Sequence, residues 1–115
     1  MSWTLFLDDI RFPPTNSSFQ LARSAAEAWE MIERQGPPAL IAFDHDLGDA
    51  EPTGFDFAKA LVERDLDENG RFLPEGFRYS IHSDNGPGSE NIDGLLSAYL
   101  AHRIPARQAA PPGLA

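Results

Sequence analysis

Apolar residues along this chain fall into short blocks separated by longer amphipathic segments. Trp3-Thr4-Leu5-Phe6-Leu7 and Ala39-Leu40-Ile41-Ala42-Phe43 are almost uninterrupted apolar runs, and Phe77 to Ile81 forms a third block. Runs of this length with little alternation read as strands covered on both faces, the habit of parallel sheets. Helical signals lie between them. Ser24-Ala25-Ala26-Glu27 is a capping-box pattern, followed by an apolar stripe of Ala28, Trp29, Met31 and Ile32 and a stop at Gly36-Pro37-Pro38. Thr53 with Asp56 caps a second segment carrying Phe57, Ala58, Ala60, Leu61 and Val62. Pro87 opens a third, whose stripe is Ile92, Leu95, Leu96, Tyr99 and Leu100, weakened slightly by Gly94. The pattern predicts helices over 24–35, 54–65 and 88–102. Strands alternating with helices predict an α/β fold with an open parallel sheet.

The connections are polar or broken. Asp9 to Ser18 reads as loop because Pro13-Pro14 and Asn16-Ser17-Ser18 interrupt any regular structure. Phe19 to Arg23 is the weakest strand candidate, an edge strand that the short preceding connection barely allows. Asp67 to Gly76 is a polar excursion tucked in by Phe72 and Leu73. The Ala/Pro/Gly-rich stretch 109–115 reads as a flexible tail on a single domain of residues 1–108.

The chemistry lies where the apolar blocks end. The first runs into Asp8-Asp9, the second into Asp44-His45-Asp46, the third into His82-Ser83-Asp84-Asn85. Ionisable groups at the end of a buried strand are costly unless they open onto water, a metal or a ligand. In open α/β sheets that opening lies at the carboxyl ends of the strands. Parallel neighbours would bring their acids to roughly 5 Å, where like charges repel until a cation binds or some carboxyl groups keep their protons. On that ground, substituting Asn for either Asp8 or Asp44 is expected to raise the stability of the cation-free protein. Carboxylates suit Mg²⁺ or Mn²⁺, and imidazole extends the set to Zn²⁺. Asp8, Asp9, Asp44 and Asp46 are the candidate metal ligands, and His82 and then His45 the candidate proton-transfer groups. Ser83, Arg11 and Asn85 are the candidate phosphate contacts. Asp49 and Glu51 read as solvated loop acids, and His102 as a structural residue near a helix end.

Composition narrows the partners. The chain has 115 residues, a formal charge of −9 and a single lysine, Lys59. Such a balance disfavours polymeric nucleic acid, which is held by neutralising phosphates, and leaves a small phosphorylated ligand approached through a cation; a protein partner is also compatible. Without cysteine there are no disulfides or thiolate metal sites. With no signal-peptide pattern and no apolar run near about 18 residues, the expectation is a soluble, cytoplasmic protein without membrane contact.

In its three exits the chain resembles a receiver domain, the phosphoacceptor module of two-component signalling. Asp8-Asp9 matches the acidic pair, Asp44 the phosphoacceptor position, Thr53-Gly54 the downstream Asp-Gly and Ser83 the Ser/Thr after the fourth strand. The first receiver helix is replaced by the Pro-rich loop, and the fifth-strand lysine is missing, since Lys59 falls in a helix. Leu5-Phe6-Leu7-Asp8-Asp9, Phe43-Asp44-His45-Asp46-Leu47 and His82-Ser83 together are more similar to the cyclic-phosphate-processing receiver-like group. That resemblance implies a receiver/flavodoxin-like sheet of four or fewer main strands in the order 2-1-3-4. It also implies metal-dependent phosphoesterase activity on a cyclic phosphate or nucleotide-type molecule. The competing expectation is a receiver or pseudo-receiver signalling module with Asp44 as phosphoacceptor.

Overall fold

The computed structural model describes residues 2–48 and 51–103; Asp49 and the stretch 109–115 lie outside the described residues. Strand β1 (Thr4–Leu7), strand β2 (Phe19–Ala22), helix α1 (Ala25–Gln35), strand β3 (Leu40–Phe43), helix α2 (Gly54–Asp67), strand β4 (Arg78–Ile81) and helix α3 (Gly86–His102) follow in that order. The strands form one parallel sheet, β2-β1-β3-β4. This is the receiver/flavodoxin-like arrangement, with the Pro-rich loop standing where the first receiver helix would lie.

Local signals account for the element ends. The Ser24 hydroxyl accepts from Glu27 N at 3.1 Å, and Glu27 reaches back to Arg23 N at 2.9 Å. Gly36 ends α1 with φ 81°, a left-handed conformation open to glycine at little cost. Trp3 Nε1 donates to Gly36 O at 2.8 Å, tying the end of α1 to the start of β1. Thr53 and Asp56 form a reciprocal capping box on α2. α3 begins two residues earlier than the apolar stripe predicts, because Asn85 Oδ1 accepts from Gly88 N at 2.8 Å and Pro87 fits a first turn. β2 forms despite its short connection. Phe19 packs edge-on against Phe6 with ring centres 5.7 Å apart, and Gln20 bonds Gln35 on α1 at 2.9 Å.

The main core joins the sheet to the helices. Leu5, Leu7, Ile41 and Phe43 meet Ala28, Ile32, Phe57, Leu61, Ile92 and Leu96 there. Phe6 and Ala42 alternate to the other face and are also buried. The excursion after α2 is held by one acid. Buried Asp65 accepts from Phe72 N, Leu73 N, Tyr99 Oη and Arg103 Nη1 at 2.6–3.0 Å. No helix among the described residues is long and apolar enough to cross a membrane.

Candidate functional site

Strand register builds the site. Leu7, Phe43 and Ile81 are matched across β1, β3 and β4. The ladder then runs one rung further: Asp8 N donates to Ala22 O, Asp44 N to Leu7 O and His82 N to Phe43 O, at 2.9–3.1 Å. Asp8, Asp44 and His82 are therefore neighbouring rungs with the same pleat phase, and their side chains emerge on one face. Across the middle strand, His82 Nε2 lies 2.9 Å from Asp8 Oδ2. The His82 ring stacks on Phe6 at 4.4 Å, nearly coplanar at 7°. Its buried Nδ1 has no hydrogen-bond partner among the described residues, and a proton on Nε2 makes the ring the donor to Asp8.

The two buried acids are treated differently. Burial raises the pKa of Asp8, but hydrogen bonds from Arg11 N at 2.8 Å, Ile10 N at 3.0 Å and His82 outweigh it and hold the carboxyl below its ordinary range. For Asp44, burial and then the Asp8 charge push the pKa up, and the Ser83 hydrogen bond only partly offsets them. An acid held ionised beside one pushed toward protonation is the pattern of a crowded anionic site. Asp9 completes the cluster. One carboxylate oxygen from each of Asp8, Asp9 and Asp44 lies within 4.8 Å of the others.

Those donors fit a hard divalent cation. Oxygens around an octahedral Mg²⁺ sit about 3.0–4.2 Å apart, from metal–oxygen distances of about 2.1 Å. Closing the cluster onto an ion thus needs side-chain shifts of about 1 Å at most, and the Asp8 charge, which adds to burial in raising the Asp44 pKa, is what a cation would offset.

A cavity of about 210 Å³ opens beside the cluster, lined by Asp9, Ile10, Arg11, Asp44, Asp46, Ser83 and Asp84. Arg11 spans its wall: Nη1 donates to His82 O at 3.0 Å and lies 3.6 Å from Asp8 Oδ2, and Nη2 pairs with Asp84. Ser83 Oγ accepts from Asn85 N at 3.0 Å, which fixes the turn after β4. Asp46 stands on the rim, outside the three-carboxylate group. His45 Nδ1 contacts it at 2.9 Å and Asn85 Nδ2 at 3.3 Å; the His45 hydrogen bond, then that of Asn85, lowers the Asp46 pKa.

Two glycines make room for this geometry. A Cβ at Gly54 would stand 2.0 Å from the Asp44 carbonyl oxygen, and one at Gly88 would stand 2.4 Å from the His45 ring. The starts of α2 and α3 can approach the β3 exit only because those side chains are absent.

Of the residues the sequence singled out, Asp8, Asp9, Asp44, Asp46, Ser83 and Arg11 converge. His82 stands behind Asp8 rather than in the cavity wall. His45 and Asn85 form a side group on Asp46, with Asn85 also capping α3. Ile10 and Asp84 line the cavity without having been singled out. Asp84 was visible within a polar exit; Ile10 carried no signal.

The sequence model of the cyclic-phosphate processing receiver domain matches residues 3–98. No curated protein and no solved structure matches the chain. The match covers most of the chain, which belongs to the cyclic-phosphate processing receiver domain family.

Proposed function

We propose that this member of the cyclic-phosphate processing receiver domains hydrolyses a cyclic phosphodiester, with Asp8, Asp9 and Asp44 holding a divalent cation, Mg²⁺ or Mn²⁺ before Zn²⁺. The observation that carries this reading is the convergence of three carboxylates within 4.8 Å beside a cavity containing Arg11 and Ser83. A bound cation supplies charge neutralisation at a phosphoryl oxygen and a water of lowered pKa.

The chain's own side chains supply the rest. Arg11 draws in the phosphate and fixes its orientation; its guanidinium already stands in the cavity wall against Asp84. The single Ser83 O–H, which donates to Asp44 in the cation-free protein, can turn to a phosphoryl oxygen once a cation holds Asp44. In ring opening, the water oxygen bonds to phosphorus, one phosphorus–oxygen ester bond breaks, and the leaving alkoxide takes up a proton. Asp46 lines the cavity and His45 Nδ1 stands 2.9 Å from it, so this pair takes the general-acid role. The His82–Asp8 pair works from behind: His82 keeps Asp8 ionised and aimed, and so is a positioning residue. His45→Ala should lower turnover by roughly 10²-fold, the scale of general acid–base catalysis. His82→Ala should weaken cation affinity as well as turnover.

The receiver alternative places a phosphoryl group on Asp44. The lysine such chemistry uses has no counterpart here. Lys59, the chain's single lysine, lies 3.8 Å from Asp56 and over the Phe55 ring on α2. A steady-state screen of cyclic and linear nucleotides with Mg²⁺, Mn²⁺ or Zn²⁺ tests the proposal. Cyclic phosphates should be opened, and Asp44→Asn should abolish turnover. No turnover, together with a labile acyl phosphate formed on Asp44 from acetyl phosphate, would replace the esterase with the receiver.

A further inference from the structure

We propose that Ile10 is the seat for the organic group of the substrate, so that the preferred ligand is a cyclic phosphodiester bearing a broad, weakly polar group such as a nucleobase. The inference rests on the phosphoesterase reading and extends it to substrate choice. At about 210 Å³ the cavity is smaller than the roughly 300–1,000 Å³ that encloses a whole organic ligand. It can take the charged phosphate end, and the remainder must lie across the rim. The other six lining residues are polar or charged, and Ile10 is the single apolar one.

Ile10 is 73% exposed. A lone exposed aliphatic side chain is ordinary on a protein surface. This one is held in place at the mouth of a charged cavity. Its N–H donates to Asp8 Oδ1, the carboxylate at the centre of the cluster. The turn is fixed again by Arg23, whose Nη1 donates to Arg11 O at 2.8 Å and whose guanidinium lies 4.6 Å from the centre of the Phe12 ring. Its β-branched side chain is stiff at χ1. Phosphate bound at Arg11 and Ser83 would carry its ester group out past a preplaced apolar surface, which would lose water on contact.

The test is a comparison of kcat/KM for a cyclic nucleotide and for glycerol cyclic phosphate, which lacks the base, in wild type, Ile10→Ser and Ile10→Leu, all with Mg²⁺. The wild type should favour the nucleotide. Ile10→Ser should cut that preference about tenfold, equivalent to about 1.4 kcal/mol, through KM rather than kcat, and Ile10→Leu should restore it. An unchanged preference in Ile10→Ser, or a wild type that favours glycerol cyclic phosphate, overturns the Ile10 seat while leaving the esterase in place. A wild type that opens neither substrate overturns both.

Discussion

Asp8 and Asp44 show how much one side chain's environment decides. Both leave buried strands, and charge repulsion alone predicts that replacing either by Asn stabilises the cation-free protein. The hydrogen bonds to Asp8 correct that expectation. Its folded pKa is lowered, so its charge contributes stability that is present above the unfolded pKa and lost as pH falls through the folded value. The folded pKa of Asp44 is raised, so folding loses stability as pH climbs from the unfolded to the folded value. In thermal denaturation near neutral pH without divalent ions, Asp44→Asn should melt above wild type and Asp8→Asn below it. The Asp44→Asn advantage should vanish in acid, where wild-type Asp44 is already protonated. Both acids were legible in the sequence because each follows an apolar block directly. Their difference was not, since it depends on where the amides of Ile10 and Arg11 point.

Among the elements, two kinds of contact hold the site in place. The first is close backbone approach. Gly54→Ala would drive a Cβ into the Asp44 carbonyl, with backbone on both sides and no flexible group to yield. This variant should lower the melting temperature and remove the thermal response to Mg²⁺. The second is Asp65, which joins α2 to the excursion at Phe72-Leu73 and to the end of α3. Asp65→Ala would leave the Phe72 and Leu73 amides unpaired and strip the Arg103 guanidinium of its carboxylate, with only the Leu73 and Pro74 carbonyls still accepting from it. By the cost of breaking buried ion pairs it should destabilise the fold by about 3 kcal/mol or more in denaturant titration. Burial raises the Asp65 pKa, but the Tyr99, Leu73 and Arg103 hydrogen bonds win and lower it. Its contribution should therefore fade as pH falls below about 4, and Asp65→Asn should flatten that acid limb. The caps of α1 and α2 were legible because capping residues act within one turn. The part played by Asp65 was not, because its partners lie up to 38 residues away.

For the whole molecule, the sheet registers three acidic or imidazole-bearing exits onto one edge. Parallel order and alternation were readable from the apolar blocks, and the family resemblance supplied the strand order. The crossing of Asp8 over to His82 was not readable, because it needs the exact rung of each strand. A protein with a formal charge of −9 that gathers three carboxylates at one mouth should gain stability from a divalent cation by mass action. The most direct test of the account is ³¹P NMR of a cyclic nucleotide incubated with the protein and Mg²⁺. The account predicts that the cyclic diester resonance is replaced by that of a monoester, only when Mg²⁺ is present and not with Asp44→Asn. A diester signal that persists unchanged with wild-type protein and Mg²⁺ would contradict it.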